Sequence, residues 1–205
     1  MIEIKELCKK FDDKILFSDY NLTIEDGEFI VLSGESGAGK TTLLNMIGGL
    51  EPIDSGKILV DGKDITKRKN KLQYYRDVVG FLFQNFALVD KKTVKQNLKL
   101  VKKKSKNGIT IEEALEKVGL SDKINTKVYK LSGGEQQRVA LARLIVKNSN
   151  IILADEPTGS LDEKNAQGVM KILMDLNKEG KTVILVTHVE SYKTIGDRCV
   201  DIVAQ

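Results

Sequence analysis

The chain has 205 residues, of which 41% are hydrophobic and 30% are charged, and its formal net charge is +4. This length and composition predict one globular domain with a full hydrophobic core. No apolar run approaches the roughly 18 residues of a membrane-spanning helix, and the N-terminus lacks a secretion-signal pattern, which argues against an integral membrane protein. Cys8 and Cys199 are far apart in sequence, which argues against a disulfide scaffold or a zinc site.

The positive charge is concentrated in residues 91–106, which hold eight lysines and no acid, so the rest of the chain is net acidic. Such a run is usually a solvated helix face or loop, and less often a contact for anionic lipid headgroups or nucleic acid. It lacks the interleaved aromatic side chains of a base-stacking surface. We therefore expect no nucleic-acid partner.

The front of the chain shows the period-two alternation of half-buried strands. Residues 57–60 run directly into Asp61 and Gly62, a dipeptide that favours a tight hairpin turn. Together these features predict a small antiparallel sheet. The alternating apolar positions are Ile2, Ile4, Leu7, Leu22 and Ile24.

Three unbroken apolar runs follow, at residues 29–32, 151–154 and 183–186. Runs of this kind are typical of strands that are covered on both faces in a parallel sheet. Each run ends at a polar motif. Because the carboxyl ends of parallel strands share one edge of a sheet, these motifs are expected to lie close together.

Helical patterns lie between these strands, at residues 41–50, 110–118 and 166–178. The second begins with a Thr110/Glu113 capping box, and glycines stop the second and third. Residues 85–148 contain no convincing buried strand. The sequence therefore predicts an α/β fold in which a mostly helical lobe, residues 85–148, is set into a core of residues 1–84 and 149–205.

Residues 34–41 read Gly-Glu-Ser-Gly-Ala-Gly-Lys-Thr, between a predicted strand and a predicted helix. This is the setting that a phosphate-binding loop requires. Backbone N–H groups would cradle phosphates, Lys40 would neutralise charge on the β and γ groups, and the Thr41 hydroxyl would bind Mg²⁺. The candidate nucleotide-contacting residues are Ser36, Gly37, Ala38, Gly39, Lys40, Thr41 and Thr42.

Two adjacent acids, Asp155 and Glu156, follow the run at residues 151–154. Beside a metal-bound phosphate, Asp155 would hold the Mg²⁺ shell and Glu156 would orient or deprotonate the attacking water. The alternative is that both acids only solvate the end of a strand.

Two further polar residues follow predicted strands. His188, the single histidine, would bond the γ-phosphate or the attacking water, although a lone histidine is more often structural or solvent-facing. Gln84 would reach the metal ion through its amide. Taken alone, one glutamine after a strand means little.

Residues 131–137 read Leu-Ser-Gly-Gly-Glu-Gln-Gln ahead of an apolar helical pattern. Ser132 and Glu135 have the spacing of a capping box, and two glycines let another molecule approach the helix N-terminus. The unpaired N–H groups and the helix dipole favour an anion there. The alternative is an ordinary cap with a glycine-rich approach.

In order and spacing, these motifs make the chain resemble an ATPase subunit of an ABC transporter over essentially its whole length. The resemblance implies an ATP- and Mg²⁺-dependent ATPase with a P-loop NTPase core containing a mainly parallel sheet, an N-terminal antiparallel β subdomain and an inserted helical subdomain. It also implies that Ser132, Gly133 and Gly134 contact ATP held by a second copy or a homologous subunit, and that Asp162 communicates across this interface.

The resemblance also suggests which aromatic residue would stack on adenine. Phe11 matches that position, where family members usually have Tyr, so the ring face is kept while the hydroxyl is lost. Phe11 could equally be a strand hydrophobe. Phe17 and Tyr20 are the alternative stacking residues.

An integral membrane permease is the other implied partner, which would place this chain peripherally at the cytoplasmic face of the cell membrane. The expected contact lies near Gln84, Phe86 and the helical subdomain, although the apolar residues 86–89 could instead pack inside the lobe.

Residues 83–86 and 155–162 look most like the branch that serves lipoprotein release, macrolide and antimicrobial-peptide export, and cell division. We therefore expect export of a peptide, lipoprotein or drug-like substrate. The alternative is signalling through a membrane partner in cell division or envelope remodelling. A nucleic-acid maintenance ATPase is disfavoured because heptads and a cysteine cluster are missing from the sequence between the motifs.

Overall fold

The computed structural model describes residues 1–12, 14–101 and 109–203. Part of the lysine-rich run, residues 102–106, lies outside these described residues. In chain order the strands are β1 Ile2–Phe11, β2 Lys14–Ile24, β3 Phe29–Ser33, β4 Ser55–Val60, β5 Lys63–Asp64, β6 Val79–Leu82, β7 Ile151–Asp155, β8 Thr182–Val186 and β9 Arg198–Asp201. The α-helices are α1 Lys40–Ile47, α2 Arg68–Asp77, α3 Val94–Leu98, α4 Ile111–Lys117, α5 Gly133–Lys147 and α6 Glu163–Lys178. Short 3-10 turns occupy Ser121–Lys123, Val128–Lys130 and Glu190–Tyr192.

The predicted antiparallel sheet is present and has the strand order β2-β1-β4-β5. Its β4–β5 hairpin turns at Asp61 and Gly62, whose φ angles are 49° and 72°. Positive φ at both central residues is what a two-residue type I′ hairpin turn requires. The hairpin turn that the Asp-Gly dipeptide predicts is therefore confirmed.

The second sheet is parallel throughout its described pairs, with the strand order β6-β7-β8-β3-β9. Its three central strands, β3, β7 and β8, are the three apolar runs in the sequence. The edge strand β9 is exposed or half-buried along its length, so it carries no apolar run that sequence reasoning could detect.

Two hydrophobic cores lie on opposite faces of this parallel sheet. One joins it to α5, α6 and the shorter helices α3 and α4. The other joins it to α1 and to the antiparallel sheet. Alternate residues of β3 serve the two cores: Val31 faces the first, and Ile30 and Leu32 face the second. This two-sided burial explains why the central strands are uniformly apolar.

Helix bounds differ from the predicted ones at two places. The pattern at residues 41–50 predicts a helix through Leu50, but α1 ends at Ile47. The chain turns there because Gly49 adopts φ 70°, and a Cβ on Gly48 would stand only 2.4 Å from the Phe81 ring. Helix α6 begins three residues before the predicted start because Asp162 caps it.

Residues 85–148 contain α3, α4 and α5, together with two of the 3-10 turns. Among the described residues of this range, β pairing is limited to an isolated bridge between Thr93 and Lys127. The predicted box of Thr110 and Glu113 caps α4. A second box, Thr93 with Gln96, caps α3 and was not predicted.

Candidate active site

The predicted site residues follow parallel strands at one edge of the sheet. In register, Leu32 of β3 lies beside Val186 of β8, and Asp155 of β7 lies on the other side of the same residue. Leu82 of β6 pairs with Ala154. The segments after these strands therefore emerge together, as expected where ligands bind in open α/β sheets.

The phosphate loop has a backbone that only glycine adopts easily. Gly34, Gly37 and Gly39 have φ angles of 135°, 79° and 102°. A Cβ on Gly34 would stand 2.3 Å from the Ile202 carbonyl oxygen, and one on Gly39 would stand 3.1 Å from the Phe17 ring. Glycine is therefore required at positions 34 and 39 by close packing as well as by backbone geometry, and at position 37 by backbone geometry alone.

Lys40 spans this loop from the start of α1. Its Nζ donates hydrogen bonds to the carbonyl oxygens of Gly34 and Glu35, each at 2.8 Å. The first turn of α1 contains no acidic residue, so the positive end of the helix dipole faces the loop unopposed. Ala38 is buried and Ser36 is exposed, while Thr42 is half-buried.

Thr41 and Asp155, two of the three residues predicted to bind the metal, are in direct contact. The Thr41 hydroxyl donates a hydrogen bond of 2.9 Å to Asp155 Oδ1. Burial raises the pKa of Asp155, and Glu156 raises it further, whereas the Thr41 hydrogen bond and Lys40 lower it. A divalent cation here would relieve the cost of holding this carboxylate away from water.

The donor set suits Mg²⁺ bound together with a nucleotide. No group of three or more His, Cys, Asp or Glu side chains that could hold a metal occurs in the described part of the chain. Mg²⁺ commonly binds through one or two protein oxygens plus phosphate oxygens and waters. One carboxylate and one hydroxyl beside a phosphate loop fit that pattern.

Glu156 and His188 also come together as the sequence suggested. Glu156 Oε2 lies 2.8 Å from His188 Nδ1, and the side chains are 18% and 69% exposed. The two atoms are close enough for an ion pair, but the geometry is not that of a hydrogen bond: Oε2 accepts no hydrogen bond from the described residues. Glu156 has φ 45°, and its N–H donates to the Val186 carbonyl at 3.0 Å, which fixes the turn that presents the carboxylate.

Gln84 is exposed two residues beyond β6. Its Nε2 lies 3.4 Å from the position that a Cβ on Gly159 would take. Gly159 donates its N–H to the Glu156 carbonyl at 3.2 Å. Gln84 is thus placed beside the turn that carries the two acids.

The Ser-Gly-Gly segment begins α5 with the predicted capping box. The Glu135 N–H donates to Ser132 Oγ at 3.3 Å, and the Ser132 N–H donates to Glu135 Oε2 at 2.8 Å. Ser132 and Gly133 are exposed, whereas Gly134 is buried. A Cβ on Gly134 would stand 2.6 Å from Asn165 Cγ, so this glycine is needed for packing inside the chain.

Asn165 is a site residue that sequence reasoning missed. Its N–H donates to Asp162 Oδ1 at 2.9 Å, its Nδ2 donates to Asp162 Oδ2 at 2.6 Å, and its Oδ1 accepts from Arg138 of α5. The backbone bond from Asn165 is the main cause that lowers the pKa of Asp162. Asp162 is thereby joined to the helix that starts at Ser132. An Asp three residues before Asn at the start of a helical pattern is typical of an N-cap, so the sequence could have predicted the contact between Asp162 and Asn165.

The structure separates the three aromatic candidates. Phe17 is 2% exposed and lies beneath Gly39, so the alternative that it stacks on a base is wrong. Tyr20 is half-buried, with its ring centroid 5.1 Å from that of Phe17. Phe11 is 45% exposed at the end of β1 and keeps a ring surface open to solvent.

A groove of about 610 Å³ lies beside the segment that follows Gln84. Phe86 and Ala87 at this segment have φ angles of 62° and 47°, and Arg143 of α5 donates to both of their carbonyl oxygens. The Phe86 ring lies 3.8 Å from the position of a Cβ on Gly133. The lining residues are Leu72, Tyr75, Arg76, Phe81, Phe83, Ala87, Leu100, Val101, Arg143, Leu144 and Lys147.

This fold and this site define a nucleotide-binding ATPase of the phosphate-loop class. The family model described as ABC transporter matches residues 17–159, and the chain belongs to that family. It is therefore an ATP-binding ATPase subunit of the ABC type. Within residues 1–12, 14–101 and 109–203, no helix combines the length and the apolar character needed to cross a membrane.

Three similar proteins illustrate the family. The phosphonates import ATP-binding protein PhnC of Lactobacillus gasseri is 43% identical over 98% of this chain and 84% of its own length. The macrolide export ATP-binding/permease protein MacB of Campylobacter jejuni is 40% identical over 92% of this chain, which spans only 30% of that relative. A dimeric post-hydrolysis structure of the ATP-binding cassette MJ0796 with ADP and Pi has a TM-score of 0.85 and 35% identity, covering 99% of this chain and 94% of that one.

Proposed function

We propose that two copies of this chain, or one copy and a homologous subunit, close around two ATP molecules and drive a membrane permease. The main support is that three features lie at one edge of the parallel sheet: the phosphate loop, the Thr41–Asp155 pair and the Glu156–His188 pair. The exposed residues Ser132 and Gly133 begin α5, whose N–H groups suit the γ-phosphate of the partner's nucleotide. The dimeric MJ0796 cassette supports this arrangement.

Each site residue then has a defined task. The phosphate-loop amides and Lys40 hold the phosphates. Thr41, Asp155 and Gln84 hold Mg²⁺, and this ion would neutralise the charge that develops on the β- and γ-phosphate oxygens. Glu156 orients the attacking water and accepts its proton, while His188, 2.8 Å from Glu156, contacts the γ-phosphate or that water.

Adenine stacks on Phe11, whose ring is the most exposed of the three aromatic candidates. Asp162 carries the state of one site to the other, because Asn165 and Arg138 connect it to the helix that begins at Ser132. Closure of the dimer and its release after hydrolysis form the two-state element that would act on the permease.

The permease binds in the groove beside residues 84–87, at the junction of the core (1–84 and 149–205) with the helical subdomain (85–148). The groove has apolar walls, and Arg76, Arg143 and Lys147 lie along it. This chemistry fits an amphipathic helix with acidic residues. Phe86 has its ring next to Gly133, so it would link the permease site to the Ser-Gly-Gly segment. The chain would then lie at the cytoplasmic face of the cell membrane.

For the direction of transport we favour export of a peptide, lipoprotein or drug-like molecule. The support is the likeness of residues 83–86 and 155–162 to the export and lipoprotein-release branch, together with the similarity to a macrolide export protein. A phosphonates import protein is comparably similar, so the permease must decide the substrate.

The first experiment replaces the base, Glu156→Gln. ATP should still bind, but turnover should fall by about 10²–10⁴-fold, the usual contribution of a general base. The trapped ATP state should then appear as a dimer in gel filtration with Mg-ATP. Glu116→Gln, an exposed change on α4, is the matched control and should hydrolyse normally as a monomer. Native turnover in Glu156→Gln would refute the role of Glu156.

The second experiment identifies the partner. Glu156→Gln protein is expressed in the source cells, membranes are solubilised with ATP present, and the co-purifying proteins are identified by mass spectrometry. A permease with a large extracytoplasmic domain supports the export branch, and an import-type permease contradicts it. Recovery of nucleic acid without any membrane protein would overturn the transporter assignment.

A further inference from the structure

Lys9 is a buried cation on the strand that carries the proposed adenine-stacking residue. Its side chain is only 5% exposed, which is unusual for lysine and requires compensating partners. Nζ lies 2.6 Å from Glu51 Oε1, donates to the Pro52 carbonyl oxygen at 2.9 Å, and lies 3.8 Å from Asp54 Oδ1. These contacts fix the ammonium group in one place.

The same ammonium group lies 4.5 Å from the centroid of the Phe11 ring. This distance is within the range of a cation–π interaction. Lys9 and Phe11 are two residues apart on β1, and the pairing of β1 with β2 shifts register between Lys9 and Lys10. Phe11 nevertheless remains 45% exposed. One face of the ring is therefore covered by a fixed cation, and ring surface remains for a ligand.

The hairpin that carries Phe11 is also tied to the phosphate loop. Phe11 pairs in register with Lys14, the first residue of β2. Lys14 Nζ donates a hydrogen bond of 3.2 Å to the Gly37 carbonyl oxygen. The ring is thus held between the buried anchor at Lys9 and the loop that would bind the phosphates of the same nucleotide.

We propose that Lys9 is a positioning residue for the adenine base, and this inference rests on the proposed function. The cation holds the Phe11 ring in place through its inner face, so that the outer face is ready to stack on the purine. Without the cation, an exposed phenylalanine would sample other rotamers, and ordering it would weaken nucleotide binding. Lys9 acts on the base through Phe11 and does not touch the phosphates.

The test compares a ligand that has a base with one that lacks it. All variants carry Glu156→Gln to prevent hydrolysis, and calorimetry gives the Kd of Mg-ATP and of Mg-tripolyphosphate. Lys9→Met should weaken ATP binding by about five- to tenfold and leave tripolyphosphate binding within about twofold, since a cation–π contact of this kind supplies an effect of that order. Lys9→Arg should retain most of the ATP affinity. Lys10→Met, an exposed lysine on the same strand, is the matched control.

A double-mutant cycle with Phe11→Ala isolates the coupling. Phe11→Ala should weaken ATP but not tripolyphosphate, and Lys9→Met should add nothing in that background. Equal weakening of both ligands by Lys9→Met, or no weakening of either, would overturn the proposal and leave Lys9 as a structural anchor of residues 51–54. If Lys9→Met does not fold, Lys9→Met/Glu51→Gln removes both members of the ion pair and gives the same comparison. Failure of the unsubstituted chain to bind ATP would instead contradict the proposed function.

Discussion

Asp155 is a half-buried carboxylate to which Thr41 donates a hydrogen bond and beside which Glu156 lies. Its pKa is raised above the ordinary value of 3.8 because burial disfavours the charged form. Well below pH 3.8 the group is protonated in both the folded and unfolded states and has no effect on their balance. As the pH rises from 3.8 to the raised pKa of the folded state, the unfolded state is already ionised while the folded state still holds its proton, so the folded state loses stability over this window.

Asp155→Asn should therefore raise the melting temperature of the nucleotide-free chain at neutral pH, because Asn keeps an acceptor for Thr41 without the charge. The gain should shrink toward acidic pH, where Asp155 is protonated. The variant should also lose most of the stabilisation that Mg-ATP gives the unsubstituted chain. Thermal scans from pH 4 to 8 with and without Mg-ATP measure both effects. Asp122→Asn, an exposed change, should show neither effect. A destabilised apo variant would contradict this account of Asp155.

The residues of the site divide into those that a sequence can show and those that it cannot. Asp155, Glu156 and His188 were predictable because each follows an apolar run whose end marks the sheet edge. Lys9 was not predictable in this way. Its burial depends on the loop at residues 51–54, which supplies the anions that let a lysine be buried beside Phe11. Long-range contacts of this kind carry no local sequence period.

At the scale of elements, α5 connects two parts of the site that are separate in sequence. Its N-terminus is the Ser132 cap, and Arg143, farther along the helix, donates to the carbonyl oxygens of Phe86 and Ala87. Those two residues have left-handed backbones, a conformation that costs roughly 1–2 kcal/mol for each non-glycine residue. The turn after Gln84 therefore depends on a side chain of α5.

Arg143→Met should lower the free energy of unfolding by about 1–3 kcal/mol, since two carbonyl groups lose a charged donor. Ala87→Gly in the same background should recover about 1 kcal/mol, because glycine adopts positive φ without strain. Urea unfolding measures both values. Gly168→Ala is the control exchange between glycine and alanine. Gly168 lies in α6, where an added Cβ meets open space, so this change should be neutral or stabilising. If Ala87→Gly destabilises the Arg143→Met chain further, the backbone of residues 86–87 is not the strained element.

Element type was easier to predict than element bounds. The buried strands and the antiparallel hairpin follow from apolar patterning and from Asp61-Gly62 alone. The end of α1 was misplaced because the apolar period continues to Leu50, whereas packing of Gly48 against Phe81 stops the helix earlier. The edge strand β9 was missed because it is exposed or half-buried and has no apolar run. The end of α1 is set by a tertiary contact that overrides the local pattern, and β9 is set by its pairing with β3, which no local pattern shows.

At the scale of the whole molecule, the parallel sheet separates two cores, and no residue of the phosphate loop lines the groove. The groove wall includes Leu72, which is 73% exposed, and Leu100, which is 53% exposed. Apolar side chains this exposed around one concavity indicate a binding surface more readily than a packing need. Because no phosphate-loop residue lines the groove, we expect a change at its rim to affect the proposed permease binding without affecting ATP binding.

Leu72→Asp should weaken attachment to the permease while leaving the fold and the ATP site intact, since an exposed change usually alters stability by less than about 0.5 kcal/mol. The measurement is co-sedimentation with membrane vesicles from the source cells that have been stripped of peripheral proteins. We expect at least about tenfold weaker sedimentation for Leu72→Asp, the cost of placing a charge against an apolar partner surface. Leu50→Asp, at a 48% exposed leucine outside the groove, is the matched control and should sediment normally. The groove would lose its assignment if Leu72→Asp sedimented like the unsubstituted chain, or if both variants also failed to form the ATP-dependent dimer in the Glu156→Gln background.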